Sequence, residues 1–296
     1  MESGDLRIFQ AVAREGSITK AASHLGYVQS NVTARIRQLE GELNTSLLYR
    51  QSRGVSLTPA GKNLLKYADQ IIHLLEEAVR STQDSEIPNG PLRIGSLETN
   101  AAVHLPGIML EYHRNYPEVK LSLITGHTTD LVKSVLDYEL DAAFVSGPVE
   151  HPELEVFCSF REELVLITEP DESRLSEALT KPQLFFGKGC FHRKRLEQWL
   201  QEEHQEPLNI MEFGTLEAIL GGVSAGLGIS LLTHSSVKAW EDSGKIRCFR
   251  IPERFRYSIV SFVFRRDLFR TTAFNKFTEQ LLRFPKLREP AEADLT

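Results

Sequence analysis

The chain has 296 residues, 41% of them hydrophobic and 25% charged, with a net charge of −6. That length supports two or three globular units with real cores, and the acidic balance excludes a protein that binds nucleic acid over its whole surface. MESGDLRIFQ at the N-terminus has no long apolar core, and no stretch approaches the roughly 20 apolar residues of a membrane span. Three well-separated cysteines, Cys158, Cys190 and Cys248, lack CxxC spacing. Together these features predict a protein of the reducing cytoplasm.

Residues 16–40 predict two short amphipathic helices joined by a turn at Gly26-Tyr27. Ser17 is the expected N-cap of the first, and Ile18, Ala21, Ala22 and Leu25 fall at i, i+3, i+4 and i+7. On the second, Val32, Ile36, Leu39 and Leu43 share one stripe, which leaves Gln29, Ser30, Thr33 and Arg37 outward with Asn31, Ala34 and Arg35 beside them. Short donors and acceptors mixed with arginine are what a helix in a DNA major groove needs. An ordinary helical hairpin with a solvated face also fits the pattern, but the local charge favours the first reading. Between residues 7 and 66 nine basic residues face three acidic ones, a net of +6, which leaves the rest of the chain at −12.

Leu47–Tyr49 and Val55–Leu57 read as short strands around residues 51–54, a wing that carries Arg50 and Arg53 toward phosphate or the minor groove. Thr58 as N-cap and Pro59 at the first helical position open a helix predicted to run to about Asp84. Its Leu64, Ala68, Ile71, Leu75 and Ala78 form a heptad seam suited to self-association. Pro88, Asn89, Gly90 and Pro91 end it.

Beyond lie short apolar runs at 92–97, 119–126, 141–147, 163–169, 183–189 and 228–233, separated by amphipathic segments at 101–115, 128–139, 192–204 and 215–226. The alternation predicts an α/β unit with mostly parallel sheets, helices on both faces, and ligands beyond the strands' carboxyl ends. Ser96, Glu98, Thr99 and Asn100 follow the first run, Thr128 and Ser146 follow two others, and Cys190 and Arg193 open a further helix. Hydroxyls and helix starts suit an anion, with Arg193 as a carboxylate clamp; helix capping explains Thr99 or Asn100 equally well, and Glu98 opposes an anion unless the ligand also carries an amino group. No GxSxG, Walker loop or HExxH occurs, the histidines lack metal-ligand spacing, and no cofactor is expected.

FQAVAREGSITKAASHLGYVQSNVTARIRQLEGEL, RGVSLTPAG, LDAAFVSG and VSAGLGISLL together resemble the LysR-type transcriptional regulators of bacteria over essentially the whole chain. The resemblance implies a multidomain α/β protein: a winged helix-turn-helix (1–58), a dimerising linker helix and hinge (59–90), and an effector domain (91–296) like a type 2 periplasmic-binding protein. Within the last, one subdomain is expected at about 91–161 plus 267–296 and the other at 162–266. The implied partners are double-stranded promoter DNA, a small organic anion as effector, RNA polymerase, and further copies in a dimer of dimers. Val28 stands where the family commonly has Ser or Thr before the recognition helix, and Ala34 where it often has Arg. A solute carrier is the alternative for residues 91–296 alone, and an enzyme with a bilobed cleft is a third reading, without a catalytic constellation.

Overall fold

A computed structural model describes residues 1–51, 54–83, 86–187, 189–203 and 209–284. The chain divides into two compact units, Met1–Gln83 and Asp84–Thr296.

The first unit contains α1 (Ser3–Glu15), α2 (Ile18–Leu25), α3 (Gln29–Glu42), β1 (Leu48–Gln51), β2 (Gly54–Leu57) and α4 (Pro59–Gln83). Ser17 Oγ accepts from Lys20 N, and Thr58 Oγ1 accepts from Gly61 N at 3.0 Å, so both expected caps form. The core gathers Phe9 and Val12 of α1, Ala21 and Ala22 of α2, Val32, Ile36 and Leu39 of α3, and Ala68 and Ile72 of α4. Leu43, expected in the same stripe, is 38% exposed because α3 ends before it. Two glycines are sterically required. A Cβ on Gly54 (φ +123°) would lie 2.5 Å from the Gly16 carbonyl oxygen, and one on Gly61 would lie 2.1 Å from that of Leu47.

α4 departs from the expected seam. Ala68 is fully buried in its own unit and Leu64 packs against the same core, so the first half of α4 is part of the head and not a separate linker. Arg7, Gln10 and Arg14 of α1 bind Glu76 and Asp69 of α4 along this junction. The exposed apolar side is Tyr67, Ile71, Leu74, Leu75 and Val79.

The second unit runs β3 (Gly90–Ser96), α5 (Glu98–Val103), α6 (Leu105–Asn115), β4 (Val119–Thr125), α7 (Thr128–Leu136), β5 (Ala142–Ser146), β6 (Leu154–Thr168), α8 (Leu175–Ala178), β7 (Gln183–Phe186), α9 (Phe191–Glu202), β8 (Ile210–Phe213), α10 (Leu216–Ser224), β9 (Ser230–Thr233), α11 (His234–Asp242), β10 (Arg247–Arg250), α12 (Glu253–Arg256), β11 (Tyr257–Arg265) and α13 (Thr272–Leu281). The helix expected over 101–115 starts earlier and breaks at His104, where Pro106 enters the first turn of α6.

The strands are not mostly parallel. In the large sheet, ordered β10-β6-β11-β5-β3-β4, only β3 with β4 and β5 is parallel; β6 pairs antiparallel with β9, β10 and β11, and β11 with β5. The cause is that β6 is long enough to serve two lobes. Its first part, Leu154–Glu163, pairs with β11, and Leu164–Thr168 pairs with β9 and β10. In the first lobe Phe144, Phe262 and Tyr112 of α6 pack on one sheet face, while Val145, Val263 and Leu131 of α7 pack on the other. In the second, Leu164 and Leu166 face Trp199 of α9, and Val165 and Ile167 face Ile219 and Leu220 of α10. The return crossing precedes Tyr257, because β11 is embedded in the first lobe; the expected second subdomain, to about 266, ends too late. Residues 285–296, expected in the first subdomain, lie outside the described residues.

Candidate functional site

α3 presents the head's polar face. Gln29, Ser30, Asn31 and Arg37 are exposed, and Thr33 is half-buried. Val28, its N-cap, supplies no side-chain bond and is 68% exposed, next to Tyr27 at 50%. Thr33 Oγ1 donates to the Gln29 carbonyl at 2.9 Å, so its methyl and lone pairs are what it offers outward.

Arg35, expected to face phosphate, is engaged within the head. Its Nη1 donates to Oδ1 of buried Asp5 at 2.9 Å and lies 3.5 Å from Glu2, while Asp5 Oδ2 accepts from Glu2 N. The guanidinium therefore fastens α3 to the start of α1. Glu40 plays a similar role under the wing: its Oε1 accepts from Leu47 N and Leu48 N, and its Oε2 stands 3.5 Å from Arg50. Arg53, expected at the wing tip, lies outside the described residues.

In the second unit a cavity of about 550 Å³ opens between the lobes. Glu98, Thr99, Thr128, Ser146 and Cys190 of the expected residues line it. Three others do not. Ser96 is buried and accepts from Asn100 Nδ2 at 2.9 Å while donating to the Leu97 carbonyl, so this pair ties β3 to α5 internally. Arg193 spans Glu197 at 2.9 Å and Glu212 at 3.2 Å; its guanidinium is occupied by carboxylates of its own lobe and is not the expected clamp. Thr128 Oγ1 accepts from Ser146 N, and Ser146 Oγ meets Ser258 Oγ at 3.1 Å, which joins the ends of β5, α7 and β11.

The remaining wall includes His127, Phe186, Phe191, His192, Glu212 and Phe213. Phe213 and Glu212 belong to β8, a strand absent from the sequence reading, because IMEF is too short and mixed to stand out. Glu98 reaches across: its Oε1 accepts from Leu216 N at 2.8 Å, at the start of α10 in the opposite lobe. Behind the cleft, buried Glu162 of β6 accepts from Ser235 Oγ at 2.8 Å and pairs with His104 Nε2. Burial lowers His192 to a pKa of about 4, with Glu162 opposing and Arg195 adding to the shift. Burial also pushes the Cys190 thiol up, and those of Cys158 and Cys248 to about 12, which makes none of them a ready nucleophile. Among the described residues, no cluster of His, Cys, Asp and Glu is arranged to hold a metal, and no helix is long and apolar enough to cross a membrane.

Two family models match: the bacterial regulatory helix-turn-helix protein, lysR family, over residues 3–62, and the LysR substrate binding domain over 85–285. The HTH-type transcriptional regulator YofA of Bacillus velezensis is 53% identical over 97% of this chain and 100% of its own length. GltR of Bacillus subtilis, also named an HTH-type transcriptional regulator, is 45% identical over 97% of this chain and 98% of its own. Among solved structures, a full-length single-residue variant of OxyR from Pseudomonas aeruginosa matches with a TM-score of 0.74 at 22% identity, covering 97% of each chain. Full-length CbnR complexed with its target DNA matches with a TM-score of 0.68 at 23% identity, covering 96% of this chain and 99% of that one. Both structures speak to the fold.

Proposed function

The chain belongs to the LysR family of bacterial transcriptional regulators, and from that premise we propose that it reads promoter DNA through α3 and answers a small molecule held between the two lobes of its second unit. The observation that carries this is the pairing of an exposed polar helix face in one unit with a lined cavity in the other. Gln29, Ser30, Asn31 and Thr33 read base edges in the major groove; Arg37 and Arg53 position the head on phosphate. The ligand touches both lobes, because only a molecule that binds one closure state better than the other shifts the equilibrium. Thr99, Thr128, Ser146 and Cys190 contribute to that site.

The exposed stripe of α4, Tyr67 to Val79, supports pairing of two copies, and pairs assemble into a dimer of dimers that brings several heads to one operator. Ligand-driven closure changes the placement of the heads and their contact with RNA polymerase. The protein acts in the cytoplasm, as a regulator and not as an enzyme. Footprinting of the full chain on genomic fragments flanking its own gene tests the reading. Protection of a discrete site, lost when Gln29 and Thr33 are replaced by Ala, is the expected result; uniform binding to every fragment would overturn it.

A further inference from the structure

The charge of the cleft bears on which molecule it takes. Glu98 stands half-buried in the cavity wall, with one oxygen on Leu216 N and no ion-pair partner among the described residues. The other charged lining side chain is Glu212, which shares Arg193 with Glu197. No Lys or Arg is among the described lining residues. Phe186, Phe191 and Phe213 border the same space, and their ring faces attract positive charge. An anion entering here meets a carboxylate in a partly desolvated space with no Lys or Arg among the described lining residues to offset it, whereas a cation gains an ion pair and aromatic contact.

We propose that the cleft ligand is a protonated amine with an apolar body, and that Glu98 is the residue that selects it. This rests on the lobe cleft being the effector site, and it replaces the small organic anion expected from the sequence. The ammonium takes Glu98 Oε2 while Oε1 keeps Leu216 N. The same geometry explains how such a ligand favours closure. The Glu98–Leu216 bond spans the two lobes, so closing draws the carboxylate further from water, toward the partial positive charge at the start of α10 and no Lys or Arg among the described lining residues. A bound cation supplies the missing countercharge, so it binds the closed state better than the open one.

The test uses the full-length protein and three probes of similar size, phenethylamine, 2-phenylethanol and 3-phenylpropionate, followed by thermal shift and calorimetry. Phenethylamine at millimolar concentration is expected to raise Tm, with the alcohol weaker and the carboxylate weakest. Glu98→Gln is expected to weaken the amine about tenfold or more while leaving the alcohol nearly unchanged. The proposal is overturned by no stabilisation from the amine, by an amine affinity that Glu98→Gln leaves intact, or by tighter binding of the carboxylate. Lys188, beside the lining residues Gly187 and Gly189 but outside the described residues, enters as Lys188→Ala. Carboxylate binding that disappears in that variant overturns the proposal by putting the selecting charge in the loop. Phe213→Trp narrows the cavity and Phe213→Ala removes one of its aromatic walls, which separates the two ideas. Probe affinity that neither variant changes lies outside the cleft and removes the effector-cleft reading, whereas carboxylate binding that they alter removes only the charge assignment.

Discussion

Arg35 on the recognition helix donates to Asp5 on the first helix at 2.9 Å, and Asp5 is only 1% exposed. The basic face of the head is therefore partly structural. Arg35→Ala is expected to lower Tm while leaving the slope of log affinity against log salt unchanged, since no phosphate contact is lost. Arg37→Ala is expected to leave Tm unchanged and reduce that slope by about one unit. Asp5→Ala, which removes the acceptor for both Arg35 and Glu2 N, is expected to destabilise by about 2–3 kcal/mol. Salt titrations alongside thermal melts check all three, and a reduced slope for Arg35→Ala would return that residue to the DNA face.

Thr33 commits its hydroxyl hydrogen to the Gln29 carbonyl, which leaves its methyl group and its oxygen lone pairs to read bases, and the methyl is proposed to carry most of the discrimination. Thr33→Ala is expected to relax preference at one base position by about 1–3 kcal/mol. Thr33→Val, which keeps a methyl there, should retain most of the discrimination, and Thr33→Ser should lose it. Competition binding against a set of single-base operator variants measures this.

Ile71 and Leu74 lie on the exposed side of α4, and Ala68 lies on the buried side. Ile71→Asp with Leu74→Asp is expected to separate paired copies while the head stays folded. Ala68→Asp places a charge in the core and is expected to unfold the unit, at a loss of more than about 3 kcal/mol. Light scattering and circular dichroism together distinguish these outcomes; an unchanged oligomer in the double variant would move the interface elsewhere.

His192 has a folded pKa of about 4 against an ordinary 6.5, because burial disfavours its charged form. Above pH 6.5 it is neutral whether folded or not and adds no pH dependence. Below that, the unfolded chain takes up a proton that the native state refuses, so stability falls as pH drops from 6.5 to 4 and levels off beneath, by up to about 3 kcal/mol. Denaturant melts of the second unit across this range should show the decline, and His192→Gln should flatten it.

The head is legible in the sequence because its signals are local: Ser17 and Thr58 cap helices within three residues, and Val32, Ile36 and Leu39 repeat at helical spacing. Arg35 misleads for a non-local reason, since its partner Asp5 lies thirty residues away on another helix. α4 misleads in the same way, because a heptad seam is written identically whether α1 or a second copy covers it. In the second unit the apolar runs mark β3, β4, β5, the end of β6, β7 and β9, while β8 and β10, four residues each, carry too little pattern to mark themselves. β11 and the first part of β6, whose apolar residues are interrupted by Ser258, Ser261, Glu155 and Ser159, stand unmarked as well. Glu98 is recognisable in the sequence as an acidic residue out of place where an anion is expected. Its bond to Leu216, 118 residues on, comes only from the fold.

Beyond a register shift at Phe157, β6 is paired from one lobe into the other, first with β11 and then with β9 and β10. At the crossing Glu163 pairs with Tyr257 and Leu164 with Thr233, which leaves no unpaired residue there to act as a pivot, so on this side the lobes turn against one another only as the strand twists. It works as a torsion bar, and the bar's stiffness sets how far the cleft opens. In the closure proposed above a ligand would wind or relax that bar by a small angle, and Glu162, on the bar itself, is bonded to Ser235 and His104.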